Sequence, residues 1–538
     1  MCGNEAEMRE MKEIREIAAA DVLVCGGGCA GCAAALGAAK AGADVILLER
    51  GTYLGGIAAS SMISNVYNHY VTRDGRLVMR GIGLEWMQRM VKKNAAAERW
   101  QYPDGRLVHD PEQMKVTFDE MMADYGVKVL YRTMAMEPYR IGNRAAGAYV
   151  NTPDGPALIR AEQVVDTTGE CDMAWGADAP VRYACGMATL TFKFANVDLE
   201  KLYRHFKNHP ETFPVGIDAM KNFEEFEKVW LERDVLYFPH SGGEDWDLFQ
   251  DAIKEGRFKR ELGDIFAMDS CCIIGRKGTD TAVINSQMWR IRSLDPFVLS
   301  DAESRAHEAV YYVADFMVKN IPGFEHAYVA QISDELALRV SRGIEGSITF
   351  DKDEHTTADK IVSDDPTANG TDIEYNILRG LTDDPRYAKS ADKEEDIYAP
   401  DVIACRPRQM NFKRTGEFVS RATVDIPFGV MVPKGVENLL AASGKGVSAV
   451  PQTMLRYQSA GMALGQAAGA AAALAARLKI TVRSLDIHKL QKELLEQDVW
   501  LGGEKRLKEL GLLAEAGEPA GNGEIGEEKN EGKTDICV

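Results

Sequence analysis

The chain is 538 residues long, with 45% hydrophobic and 27% charged residues. That balance is ordinary for a soluble globular protein and excludes wholesale disorder, and the length predicts roughly three to four domain-sized units. With 63 Lys and Arg against 82 Asp and Glu, the formal net charge is −19, which repels phosphate backbones and anionic lipid and argues against nucleic acid or a membrane surface as a partner.

Taken in chain order, residues 1–18 are predicted to form a charged amphipathic leader helix. Glu13, Glu16 and Asp21 interrupt any apolar stretch there, so no secretory signal is read. Asp21–Cys25 is an apolar run of strand length. The glycine turn Gly26-Gly-Gly-Cys-Ala-Gly31, a small-residue helix up to Gly42 and a second apolar run, Asp44–Glu49, complete a βαβ unit. Residues 19–179 are read as the first part of a nucleotide-binding domain. Residues 180–410 are richer in aromatic and charged residues and read as an inserted α+β domain, with helical periodicity over 301–319 and a polar surface loop over 356–396. Residues 411–480 return to strand and small-residue helix and complete the nucleotide-binding domain. A helical segment over 481–516 and a Gly/Glu/Lys-rich disordered tail over 517–538 close the chain.

The spacing Gly26-x-Gly28-x-x-Gly31, directly after a strand and opening a helix, has a steric reason at each glycine. The first permits the tight turn, the second admits a pyrophosphate close to the backbone, and the third allows close helix–sheet packing. A pyrophosphate would sit on unpaired N–H groups at a helix N-terminus, so an acidic protein needs no basic patch to hold it. Glu49 ends the second strand, where a carboxylate accepts from ribose hydroxyls and disfavours a 2′-phosphate. The plainer alternative is a tight turn with no ligand. The fingerprint does not choose the dinucleotide, but Arg50 leads into a second glycine pair, Gly55-Gly56, as a loop passing close to a long ligand requires.

Two later segments repeat the strand-to-glycine pattern: Gln163–Asp172, with the turn Thr168-Gly169, and Asn438–Gly446, with Gly444. The second leads through Arg456 and Gln458–Gly461 into an Ala/Gly helix over 462–476. With GGGCAGCAAA, LLERGTYLGGIAA, VVDTTGECDMAWGADAP, LALRVSRGIEG and NLLAASGKGVSAVPQTMLRYQSAGMALGQAAGAAAA, the chain resembles the FAD-dependent oxidoreductases of the glutathione-reductase-type fold over residues 20–477. The resemblance implies an α/β fold. Its Rossmann-like FAD-binding domain has three layers and a parallel sheet, is discontinuous in sequence, and carries an inserted α+β cap. It also implies FAD as cofactor, with AMP near Gly26–Glu49 and the flavin near the late glycines. Residue by residue, Gly26, Gly28 and Gly31 match the pyrophosphate turn, Glu49 the ribose acid, and Arg50, Gly55 and Gly56 the loop along the cofactor. Gly169 and Asp172 match the Thr-Gly turn, although the usual small-acidic-small run is Glu170-Cys171-Asp172 here. Gly444 matches the late strand end, and Gln458, Ala460, Gly461 and Met462 the helix start aimed at the flavin pyrimidine, where a helix N-terminus stabilises reduced flavin.

The chemistry needs titratable or cationic groups near the ring. His69, just after the glycine loop, is either a general acid/base or a hydrogen-bonded structural histidine. Arg339 and Arg342 either clamp a substrate carboxylate and neutralise reduced flavin, or form internal ion pairs with Asp334 or Glu345. The family pattern has an acid where Val340 stands and an Arg where Gly343 stands. Arg456 has a similar claim from its place before the late helix. Tyr237–His240 with Trp230, Trp246 and Phe249 is an aromatic substrate pocket or simply core. His205 and His209 read as a surface helix face rather than a metal site. Cys29 and Cys32 make the only C-x-x-C and no second pair follows, so zinc and iron–sulfur ligation are not expected. Their redox role competes with that of two small side chains under a cofactor. Gly461, Gly465 and Gly469 recur every four residues, which fits close helix-on-sheet packing better than membrane dimerisation.

The expected function is hydride transfer between flavin N5 and a small organic substrate held between the two domains. An electron-transfer subunit serving a partner protein is the alternative, and an RNA-modifying flavoprotein is disfavoured by charge. No second dinucleotide fingerprint is present, so the electron donor or acceptor stays open. A cytoplasmic location is expected from reduced thiols, and a homo-oligomer is left open.

Overall fold

The computed structural model describes residues 14–513 apart from 67–69, 97–106, 184–185, 214–222, 238–245, 260, 263–264, 267–271, 286–287, 292–293, 352–353, 357–394, 410–418, 451 and 453–454. The strands Lys128–Leu130, Val45–Leu48, Arg15–Cys25 and Gly155–Asp166 lie side by side in that order, all parallel. Val22–Cys25, Val45–Leu48 and Gln163–Asp166 are buried throughout, as strands covered on both faces must be.

Gly155–Asp166 changes partner along its length. Its last residues pair in parallel with Leu439–Ala441, which returns the chain to this sheet after the insert. Its first half pairs antiparallel with Arg144–Thr152, itself hairpinned to Met134–Ile141. The sheet is therefore mixed where the sequence predicted a parallel one. The link between the two hairpin strands is Gly142-Asn143, too short for a crossover, and Gly142 adopts the left-handed conformation such a turn needs.

The leader helix predicted over 1–18 is not seen in its described part. Arg15–Ala20 begins the first strand and pairs with Ala157–Ala161. Exposure alternates with period two at Ala18–Ala20, and the charges that looked helical are satisfied across the sheet: Arg15 by Asp154 at 3.2 Å, Glu16 by Arg160 at 2.7 Å.

Cys29–Lys40 and Gln458–Leu478 are packed against each other and against the sheet. The glycine stripe of the late helix meets this neighbouring helix, not the sheet as expected. A Cβ on Gly465 would lie 2.0 Å from the Ala30 carbonyl oxygen, and one on Gly469 1.9 Å from that of Ala34. Gln458–Leu478 is long and apolar enough to cross a membrane by length and composition, but its most apolar window is 89% buried within the protein.

The insert has its own core. Two antiparallel sheets, one including Gly186–Thr189 and Ala337–Leu338, the other Phe192–Ala195 and Ala282–Asn285, are joined by helices that include Pro296–Asn320. That helix begins where Asp295 accepts from the N–H groups of Phe297 and Val298 and Pro296 takes the first helical position. Of Tyr237–His240 with Trp230, Trp246 and Phe249, read as a pocket or as core, residues 238–240 lie outside the described residues and the other four are core: each is at most 4% exposed. Edge and tilted ring contacts at 5.1–6.1 Å, such as Phe206–Trp246 and Phe249–Phe316, fill that space. The insert's core ends near Leu338. Val402–Gln409, placed in the insert by the boundary at 410, pairs antiparallel with Val419–Pro427, and Val402–Cys405 share the core of the late helix.

Candidate functional site

A cleft of about 1470 Å³ lies between the glycine turn, the late helix start and the insert. Gly26 turns the first strand towards it with φ +108°, and a Cβ there would lie 2.5 Å from the Thr167 carbonyl oxygen. Gly28 opens the helix Cys29–Lys40 with no side-chain cap, and Cys32 is the first N–H to bond back, to Gly28 at 2.8 Å. The N–H groups of residues 29–31 are therefore open to a ligand. Gly31 does not line the cleft: a Cβ there would sit 1.8 Å from the Gly26 carbonyl oxygen, so this glycine serves the turn itself.

The loop with Gly55 (φ +109°) and Gly56 (φ +50°) lies directly on this turn. Gly55 donates to the Gly27 carbonyl at 2.9 Å, and a Cβ on Gly56 would come within 2.8 Å of the Gly28 Cα. Glu49 is buried, and its carboxylate accepts from the N–H of Gly27 at 2.9 Å and of Gly51 at 2.6 Å. Burial raises its pKa against the pull of those two N–H groups. Arg50 is ion-paired with Glu335, and the Tyr53 hydroxyl donates to Asp334. This clasp ties the cofactor loop to the insert, and Ser60 adds a bond to Glu335 at 3.0 Å.

At the far end, Gln458–Leu478 also starts without a side-chain cap. Gly461 N–H bonds to Tyr457 at 2.8 Å, which leaves the N–H groups of Gln458, Ser459 and Ala460 for a ligand and makes Gly461 and Met462 weaker candidates as donors. Gly461 and Gln458 line the cleft, while Ala460 and Met462 are buried behind it. Gln458 Oε1, Ser459 Oγ and Arg456 Nε are buried without any hydrogen-bond partner. Aspartate caps cover the helix starts at Asp110, Asp198, Asp295 and Asp486, while those at Gly81, Trp246 and Gly503 have no side-chain cap. The uncapped starts at Gly28 and Tyr457, the first at the glycine turn and the second with orphaned polar atoms beside it, fit a ligand that has a pyrophosphate at one end and a polar ring at the other.

The predicted catalytic residues are unequal in what surrounds them. Arg339 lines the cleft, and its Nε donates to Thr189 Oγ1 at 3.1 Å. Arg342 is 7% exposed, ion-paired with Asp172, bonded to the Glu170 carbonyl at 2.6 Å, and lies 4.5 Å over the Trp175 ring. An internal ion pair was one of its two readings, but the partner is Asp172. Asp334 is held by Tyr53, and Glu345 lies 3.8 Å from Arg182 and 3.6 Å from Lys434. Asp172 is thereby committed to Arg342 as well as to the cleft wall. Gly444 and Gly169 line the cleft, and Lys445 pairs with Glu170 between them. His69 lies outside the described residues.

The cysteine pair does not look like a redox centre. Cys29 donates to the Gly55 carbonyl at 3.5 Å and Cys32 to that of Gly27 at 3.3 Å, and both are free thiols. Burial pushes Cys29 up to about 12 and raises Cys32 well above the ordinary range, so neither is a ready thiolate. Sequence reasoning missed Asn285, Thr189, Glu303 and Lys445, all of which line the cleft. Only Lys445, set between two glycines of a motif, carried a local signal. Glu303 accepts from Leu336 N–H at 2.6 Å, and burial raises its pKa.

Fold and cleft together define a flavoprotein of the two-part dinucleotide-binding type. The family model described as FAD dependent oxidoreductase matches residues 21–494, and the chain belongs to that family. FAD is its cofactor. No curated protein matches the sequence significantly. Among solved structures, the chain is similar to a geranylgeranyl bacteriochlorophyll reductase-like protein from Thermoplasma acidophilum, at 15% identity, 60% of this chain, 66% of that one and a TM-score of 0.32. It is also similar to THI4 from Thermovibrio ammonificans (23%, 28% and 58%, 0.21) and to p-nitrophenol 4-monooxygenase from Pseudomonas putida DLL-E4 (13%, 61% and 70%, 0.33). The chain spans under two thirds of the length of the first two of these.

Proposed function

We propose that the protein transfers hydride between FAD and a small organic substrate bound against the insert wall of the cleft. The observation that carries this is continuity: one cleft runs from Gly26 and Glu49, past Gly444 and Gln458, to Thr189, Arg339 and Leu299 on the insert side. Bound FAD supplies hydride exchange at its ring. The chain's own residues do the rest. Gly26, Gly28 and the N–H groups of residues 29–31 hold the pyrophosphate, with Gly31 keeping the turn tight. Glu49 accepts from the ribose, Gly55 and Gly56 admit the chain of the cofactor, and Gly169 and Gly444 keep the middle of the groove open. The N–H groups of Gln458–Ala460 and the amide of Gln458 meet the polar edge of the ring, with Arg456 beside them. Arg339 orients an anionic group of the substrate. His69 is the proposed proton carrier.

The test starts with the visible spectrum of the purified protein. Yellow holoprotein is photoreduced without oxygen and then offered organic oxidants. Reoxidation by a small organic compound, slowed at least tenfold in Arg339→Ala and His69→Ala, is the expected result. Equal rates in both variants would remove these two roles. Reoxidation only by an electron-carrier protein would replace the reaction.

A further inference from the structure

On the insert wall, Asn285 is 9% exposed, and its Oδ1 is buried without a hydrogen-bond partner. Asn285 lines the same cleft as the cofactor-binding turns. Its strand ends at the cleft by register. Phe192 pairs with Ile284, so Asn285, one residue further, lies against Thr191, whose hydroxyl donates to the Ser61 carbonyl on the cofactor loop. Thr189, two residues from Thr191, accepts from Arg339 Nε at 3.1 Å. Leu190-Thr191 belongs to neither strand and links the two antiparallel sheets of the insert, so an amide oxygen without a hydrogen-bond partner and a guanidinium line one cleft from adjoining sheets, together with Leu294, Leu299 and Leu338.

A buried amide with an unmet polar atom is costly unless something occupies it. An acceptor beside a cation discriminates: it takes a molecule that offers an anion and, next to it, an N–H or O–H. We propose that Asn285 is a specificity-determining residue and that the substrate is a small carboxylate bearing a hydroxyl or amino group on the neighbouring carbon. The carboxylate lies on Arg339, the O–H or N–H donates to Asn285, and an apolar substituent rests on the leucines. This rests on the hydride-transfer reading of the same cleft. It adds to that reading the substrate class and a residue that it does not use.

The test titrates oxidised, FAD-loaded protein anaerobically and follows flavin absorbance. The probes share one carbon skeleton: 2-hydroxyisocaproate, leucine, isocaproate, and the methyl ester of the hydroxy acid. The hydroxy acid or leucine should perturb or bleach the flavin, and which one does so tells hydroxyl from amine. Isocaproate and the ester should bind about 10- to 100-fold more weakly, the loss expected when one buried polar partner is left unpaired. Asn285→Leu should bring isocaproate level with the hydroxy acid. Asn285→Asp, which keeps an acceptor, should retain part of the preference if the hydroxyl or amino donor is what is read. Equal binding of isocaproate and hydroxy acid to the unaltered protein overturns the proposal, as does an undiminished preference in Asn285→Leu. No response to any probe from a flavin that still photoreduces and reoxidises with another organic compound overturns the substrate class and leaves hydride transfer standing. A flavin that no small organic compound reoxidises removes both.

Discussion

Adding one methyl group at Gly469 tests the helix pair on which the cofactor site is built. A Cβ there would lie 1.9 Å from the Ala34 carbonyl oxygen and 2.8 Å from the Ala38 nitrogen, both backbone atoms of the facing helix. Ordinary contact begins at 3.4 Å, so the helices must part by roughly 1.5 Å along that line. Neither can yield, because Ala33–Ala38 and Gly465–Ala476 are buried nearly throughout. On an exposed helix the same change would gain about 1 kcal/mol. Here overpacking costs about 1–3 kcal/mol or more, so the sign reverses. At about 2.1 cal/mol/K per residue, a cooperative unit of roughly 250–500 residues loses about 1–6 °C in Tm. The same displacement moves the Gln458 N-terminus relative to Gly28, so FAD affinity should fall about tenfold or more. Gly465→Ala, with a Cβ 2.0 Å from the Ala30 oxygen, should do the same, and the double variant should lose less than the sum because one displacement relieves both. Gly461→Ala is the control for stability, since its Cβ meets only the Ala30 methyl at 3.9 Å. Thermal unfolding of the apoprotein and FAD titration by flavin fluorescence read both quantities. A Gly469→Ala protein with unchanged or higher Tm and unchanged FAD affinity would refute the packing argument.

Two buried groups titrate in opposite senses. Burial raises Asp166 to about 6 from an ordinary 3.8, so its contribution is present at low pH and is lost as pH rises from about 4 to 6. Burial lowers His109 to about 4 from 6.5, so its contribution is lost as pH falls from about 6.5 to 4. Each amounts to about 3 kcal/mol at about 1.36 kcal/mol per unit, and they offset each other in the unaltered protein. Asp166→Asn should therefore expose an acid-side fall in Tm below pH 6, and His109→Gln should expose a fall on raising pH from 4 to 6; two flat profiles would contradict the burial argument. Glu49→Gln should weaken FAD binding about tenfold or more, measured by equilibrium dialysis, while unchanged affinity would remove the ribose role. Cys29→Ser and Cys32→Ser should leave the flavin potential within a few millivolts, and native protein should show negligible thiol alkylation at pH 8 at these two positions. Rapid alkylation there would restore the redox reading.

What the sequence made legible follows from the range over which each constraint acts. The glycine turn, Glu49 and the late helix are local: Gly26 and Gly56 have positive φ, and Gly31 has no room for a methyl group, so the chain records the constraint at the residue that bears it. The helix around residues 301–319 was equally readable, because its buried positions recur every three to four residues. Long-range partners leave no such mark. Nothing around Arg15 tells a strand edge from a helix until Ala157–Ala161 lies beside it. Nothing near Arg342 names Asp172, 170 residues earlier, as its ion-pair partner. The glycine interval at 461, 465 and 469 demanded a close neighbour but did not say which, and the facing helix rather than the sheet supplied the carbonyl groups. Asn285 is the extreme case. Its strand reads as an unremarkable β segment, and the role proposed for it rests on a buried acceptor without a partner, on a residue lining a cleft shared with residues of the cofactor-binding turns. Cofactor binding, encoded in short motifs, is therefore readable from one chain, whereas the proposed substrate site joins residues of the insert to the cofactor-binding turns and needs the fold to be seen.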